Sequence, residues 1–216
     1  MRLRVGTLAA AALLAGGCGS SDDGDESAAG TTASGCRAAE RPEPREPGTH
    51  EAPDSLLDPN ERTRALVRTN CGAFTITLDP EAAPNAAASF AELATHGYFD
   101  DTIFHRIVPG FVIQGGDPTA SGTGGPGYTT VDPPAAATSY TRGVVAMAKA
   151  GNEPRGAAGS QFFVVTGADI GLPPDYAVIG TVTEGLDVVE RIGALGDPQE
   201  LPTETVLIER IEIERG

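Results

Sequence analysis

Alternation of apolar and polar positions is first sustained in "RALVRTNCGAFTITLD". Phe74, Ile76 and Leu78 fall on one face there and Ala73, Thr75 and Thr77 on the other, after an Asn-Cys-Gly turn. The pattern predicts a half-buried antiparallel hairpin. Asp79, Pro80 and Pro84 open the next stretch, "PNAAASFAELATHGYF", where Ala87, Phe90, Leu93 and Ala94 recur at helical spacing and Gly97 supplies an end. "FHRIVPGFVIQGGD", from Phe104 to Asp117, reads as a second hairpin about a Pro-Gly turn, and a glycine-rich loop, "ASGTGGPGY", follows it. Further strands are predicted at "GVVAMAKA", "SQFFVVT" and "YAVIGTV", an amphipathic helix at "LDVVERIGAL", and a last strand at "TVLIERIEIE", whose alternation is less regular. Many short strands, glycine turns and only two helices indicate a mainly all-β barrel or sandwich; a doubly wound α/β sheet needs a helix after nearly every strand.

The first sixty or so of the 216 residues lack this pattern. "MRLRVGTLAAAALLAGGC" has a basic front (Arg2, Arg4), an apolar run too short to span a bilayer, and small residues ahead of Cys18. Residues 1–17 are therefore expected to be a signal peptide. The ending resembles the bacterial lipoprotein kind, in which the cysteine is lipidated, although Ala15 stands where that motif usually has Leu. Residues 18–61, rich in Ser, Asp, Glu and Pro, read as a disordered acidic and proline-rich tether, and residues 62–216 as the folded domain. The predicted location is outside the cytoplasm, either lipid-anchored to the cell membrane on its outer side or secreted.

A formal net charge of −15 argues against a nucleic-acid partner, since phosphate binding needs clustered Lys and Arg. Membrane contact is expected only through a lipid on Cys18. With Cys18 so used, Cys36 and Cys71 remain as a pair in an oxidising compartment, either bridged or as two free thiols. Their spacings, and those of His50, His96 and His105, match no zinc ligand set. No exposed apolar stripe or coiled-coil pattern stands out, so a monomer is expected.

The familiar catalytic motifs are missing. "GTGGPG" lacks the Gly-Lys-Ser/Thr ending of a phosphate loop and reads as a mobile turn, and Gly159-Ser160-Gln161 is no nucleophile elbow. What remains is a set of polar side chains inside apolar strands: Arg106, Gln114 and Gln161. Alternation puts Val112 with Gln114 on one face, and Gln161 with Phe163 on one face opposite Phe162 and Val164. Each strand would offer a mixed face to a cleft and an apolar face to a core. Alone, Arg106 reads as a surface residue with its stem packed on Val and Ile; His105, Phe74, Phe90 and Phe162 read as structural.

"FHRIVPGFVIQGGDP", "GTGGPGY", "GVVAMAKAG", "GSQFFVVT" and "YAVIGTVTEGLDVVERI", in that order, resemble the cyclophilin family of peptidyl-prolyl cis-trans isomerases over roughly residues 63–216. The resemblance implies a closed eight-stranded antiparallel barrel capped by two helices, with its cleft on the outside and no cofactor. It implies Arg106 as the catalytic arginine, with Phe111 and Gln114 beside it in the catalytic group. Val112, Phe163 and Leu172 would join Phe111 around the proline, and Gly122, Ala148, Lys149, Ala150, Gln161 and Tyr176 would complete the groove. Proline-containing segments of unfolded or exported proteins would be the partners, and a non-catalytic proline-binding chaperone of the cell envelope is the rival reading. Val112 stands in place of a usual Met, Lys149 of an Asn and Tyr176 of a His; Gly171 falls near a Trp that contributes to cyclosporin binding in some members, so strong cyclosporin sensitivity is not expected.

Overall fold

The computed structural model describes residues 30–216. The proposed signal peptide and Cys18 lie outside them. Alternating residues build β1 (Thr63–Thr69) and β2 (Gly72–Leu78), and α1 (Pro84–Thr95) follows. Short strands come next: β3 (Thr102–Ile103), β4 (Arg106–Val108), β5 (Val112–Gly115), β6 (Thr130–Val131), β7 (Val144–Met147), β8 (Ala157–Ala158) and β9 (Phe162–Val165). The chain ends with β10 (Val178–Glu184), α2 (Leu186–Gly193) and β11 (Leu207–Arg215). No described helix is long and apolar enough to cross a membrane.

Nine strands form one antiparallel sheet in the order β3-β11-β1-β2-β10-β7-β9-β5-β4, and β6 pairs with β8 separately. The sheet curls through 297° and stays open, which corrects the expectation of a closed eight-stranded barrel. The physical reason lies at its two edges. β3 bonds to β11 and β4 to β5, and these edge strands are pieces of one segment, separated only by Phe104 and His105. The chain bends there instead of continuing as a single strand. Phe104 N–H turns to Val206 C=O at 3.0 Å and Ile107 N–H to Glu200 C=O at 2.9 Å, so no ladder joins the edges.

The inner face holds the main core, in which Phe90 of α1, Phe99, Phe104 and Phe162 meet at centroid distances of 5.0 to 6.0 Å. Alternation sends the other half of β5, β7 and β9 outward into a second cluster of Val112, Tyr140, Val144, Ala146, Phe163 and Val165. A surface cavity is built on that outer cluster.

Two local features depart from the sequence pattern. Asp79 does not cap α1. Its Oδ1 accepts the N–H groups of Glu81 and Ala82, while the start of α1 is capped by the distant Asp132, which accepts from Ala86 N–H at 2.6 Å and Asn85 Nδ2 at 2.7 Å. The uneven alternation of β11 is a β-bulge: Arg68 faces Arg210 but Thr69 faces Ile208, so Glu209 is the extra residue and the face parity changes across it.

Residues 30–61 depart most from expectation. They run along the domain instead of standing away from it. Cys36 is fully buried and joined to Cys71 by a disulfide, Arg37 N–H bonds Asn70 C=O, and Leu57 packs on the main core. Extended backbone suits the prolines here, but backbone hydrogen bonds fix its course.

Candidate active site

Pairing across four strands sets the site. Arg106 on β4 faces Gln114 on β5, Gln114 faces Phe163 on β9, and Phe163 faces Ala146 on β7. These residues form a row on the outer face. Above it lies a cavity of about 330 Å³. Phe111, Val112, Phe163, Leu172 and Tyr176 supply its apolar wall; Arg106, Gln114, Ala148 and Lys149 supply the rest.

The other expected residues line a neighbouring cavity of about 570 Å³. Gly122, Ala150 and Gln161 belong to this second space alone, while Gln114, Ala148 and Lys149 border both. The twelve expected cleft residues are thus brought together as two adjoining chambers, with Gln114 at the divide.

A polar relay runs beneath both. Arg106 Nε donates to Glu200 Oε2 at 2.7 Å and its Nη1 to Gln114 Oε1 at 3.5 Å. Gln114 Nε2 donates to Gln161 Oε1 at 3.0 Å, and Gln161 Nε2 to Gly124 C=O at 3.0 Å. Among the described residues Arg106 Nη2 donates to no protein acceptor, so this edge of the guanidinium is available to a ligand. The Phe111 ring lies 6.0 Å from the guanidinium carbon and shields one face of it.

Three contributors have no local signal in the sequence. Glu200 reaches Arg106 from a turn built by Asp197, whose Oδ1 accepts Gln199 and Leu201 N–H. Tyr140 is fully buried; its hydroxyl donates to Tyr176 C=O at 2.8 Å and accepts Tyr176 N–H at 2.9 Å, which holds the cavity wall in place. Burial, the largest influence, pushes the Tyr140 hydroxyl pKa up.

Asp117 is the third, and it corrects the expectation of a mobile glycine turn. Its carboxylate is fully buried and accepts the N–H groups of Thr119, Ser121, Gly122 and Gly124 together with the Thr119 hydroxyl. Burial alone would raise its pKa, but those hydrogen bonds outweigh it and hold the carboxyl below its usual range. A Cβ on Gly124 would sit 2.1 Å from Asp117 Oδ1, so the loop needs glycine to wrap the carboxylate. His105 lies beneath this loop with both ring nitrogens unpartnered. Burial, first, and then the charges of Arg106 and Arg41 depress its pKa, with Asp117 opposing them.

The arrangement offers no nucleophile paired with a base. It offers a shaped apolar chamber, one free guanidinium edge and an amide relay, which suits binding and twisting a peptide group without cleaving it.

The chain is similar to proteins of one family. The family described as cyclophilin type peptidyl-prolyl cis-trans isomerase/CLD matches residues 64–213. Peptidyl-prolyl cis-trans isomerase-like 1 of Neurospora crassa is 37% identical over 158 residues, covering 71% of this chain and 95% of that protein. Peptidyl-prolyl cis-trans isomerase CYP57 of Arabidopsis thaliana is 39% identical over 132 residues; the match covers 59% of this chain and 26% of that longer protein. A crystal structure of a Cryptosporidium parvum cyclophilin type peptidyl-prolyl cis-trans isomerase, in the presence of the dipeptide Ala-Pro, superposes with a TM-score of 0.64 at 31% identity, covering 70% of this chain and 98% of that one.

Proposed function

Since the chain belongs to the cyclophilin family of peptidyl-prolyl cis-trans isomerases, we propose that the chamber above the Arg106, Gln114 and Phe163 row is its active site and that Arg106 is the catalytic residue. As an isomerase of this family it has to break no covalent bond. It must stabilise an amide twisted out of resonance, against a barrier of about 18–20 kcal/mol that makes the uncatalysed step take about 10–100 s.

In this reading the proline ring sits against Phe111, Val112, Phe163 and Leu172. Gln114, already tied to Arg106 and Gln161, holds the peptide backbone. The free Nη2 edge of Arg106 donates to the prolyl nitrogen, whose lone pair becomes available only when the amide twists. The interaction is therefore stronger in the transition state than with either planar isomer. The apolar chamber strengthens it by excluding water.

The observation that carries this reading is the guanidinium held at two nitrogens, with its third edge free beside an apolar chamber. Ala-Pro in the Cryptosporidium parvum structure supports the same ligand class. In a protease-coupled isomerisation assay, Arg106→Ala should lower kcat/KM by about 100- to 1000-fold, as for loss of a transition-state donor. Equal, background-level rates for both proteins would leave a proline-binding chaperone without turnover.

The substrates are proposed to be exported or cell-envelope polypeptides. The basic and apolar start of the chain supports this, as does the Cys36–Cys71 disulfide, since such bonds persist in oxidising compartments. Mass spectrometry of the mature N-terminus tests it. A diacylglyceryl group on Cys18 is the expected result, and a free terminus further along refutes the anchor.

A further inference from the structure

The segment Arg41 to His50 precedes the family match at residue 64, yet it reaches the cleft. Pro47, Gly48 and Thr49 line the second chamber together with Gln161, Ala148 and Lys149. Their position is fastened at both ends. Arg45 N–H bonds Pro118 C=O at 2.9 Å and His50 N–H bonds Pro126 C=O at 2.8 Å. Pro118 and Pro126 bracket the glycine loop that Asp117 organises, so the segment is bonded to either side of the loop it adjoins. The Arg45 guanidinium adds bonds to Tyr98 C=O at 2.7 Å and Asp100 C=O at 2.8 Å, and the His50 ring stands edge-on to Tyr98 at 5.1 Å.

The chamber's chemistry follows from its lining. Thr49 and Thr129 bring hydroxyls that meet no partner among the described residues, and the glycines bring backbone groups, while the hydroxyls of Thr123, Tyr128 and Ser160 are bonded to Ser121, Ser89 and Gly116. Its two charged residues are occupied locally: Lys149 Nζ donates to Ala150 and Glu153 C=O, and Glu153 accepts from Ala150 N–H. The chamber therefore presents hydrogen-bonding groups and one charge of each sign, which cancel in sum and leave no net attraction for a charged side chain.

Building on the isomerase reading, we propose that residues 45–50 are a specificity-determining wall, and that they make the second chamber select an uncharged polar side chain flanking the isomerising proline. A wall supplied from outside the catalytic domain narrows the choice of segment without touching Arg106.

The test compares the full oxidised chain with Arg45→Ala, which loosens the wall by removing its guanidinium bonds to Tyr98 and Asp100, and Thr49→Trp, which fills the chamber. Each is measured for kcat/KM and for Kd on proline peptides whose flanking residues are Ala, Gln, Thr, Glu or Lys. The parent should favour Gln and Thr flanks several-fold. Arg45→Ala should flatten that preference to within about twofold while leaving the Ala-flanked peptide unchanged, and Thr49→Trp should weaken Gln-flanked peptides about five- to tenfold. An identical preference profile in all three proteins overturns the proposal, as does a uniform rise for Arg45→Ala on every peptide, which would make the segment a cover. A parent that binds the peptides selectively without turning them over overturns the isomerase reading alone, and the Kd profile then still decides the wall.

Discussion

A guanidinium held at Nε by Glu200 and at Nη1 by Gln114 has little freedom to leave the cleft. Both it and Glu200 are partly solvated, and such pairs are worth about 0.2–1 kcal/mol, so Glu200→Gln should reduce kcat/KM by no more than about fivefold in the isomerisation assay. A loss as large as that of Arg106→Ala would instead give Glu200 a direct role. His105 supplies a second residue-level prediction. Its native pKa is depressed below the ordinary 6.5, so as pH falls the unfolded chain takes the proton first. Stability should therefore decline below about pH 6.5, by up to about 1.4 kcal/mol per pH unit, until the depressed native value is passed. Urea melts between pH 4.5 and 7.5 should show this slope, reduced in His105→Asn; equal slopes would mean that other groups cause it. Arg106, Gln114 and Gln161 were legible in the sequence because each interrupts an apolar alternation. Glu200 and Tyr140 were not, since their partners lie 94 and 36 residues away and no local pattern records such a distance.

At the level of elements, period-two alternation was a good guide wherever a strand has one face in the main core. It separated Phe162 and Val164, which face the main core, from Phe163 and Val165, which face the cleft side. It failed on β11, where the Glu209 bulge changes the face parity, and at the edge strands, where a bend divides one apolar run into β3 and β4. The start of α1 at Pro84 was legible, but its cap was not, because the cap comes from beyond the glycine loop. Asp132→Ala should cost about 0.5–2 kcal/mol, the range for loss of a side-chain cap, read as a lower urea midpoint at unchanged slope. A shift of under a few tenths would show that water replaces the carboxylate freely.

For the whole molecule, the largest difference from the sequence reading is the course of residues 30–61. Composition registers their prolines and charges but not the few hydrogen bonds that fix them. The disulfide closes a separation of 35 residues, for which loop-closure entropy predicts about 3–4 kcal/mol of stabilisation. Cys36→Ser with Cys71→Ser should lose up to that amount in equilibrium melts, and an unchanged midpoint would show that the bridge constrains only the segment.

The same bridge sets a length. With a lipid on Cys18, a free tether to residue 62 could extend about 150 Å at most, but a chain caught at Cys36 extends only about 60 Å before meeting the domain. An oxidised molecule would therefore patrol a shallow layer above its anchor, and would meet polypeptides as they emerge there rather than those already diffusing away.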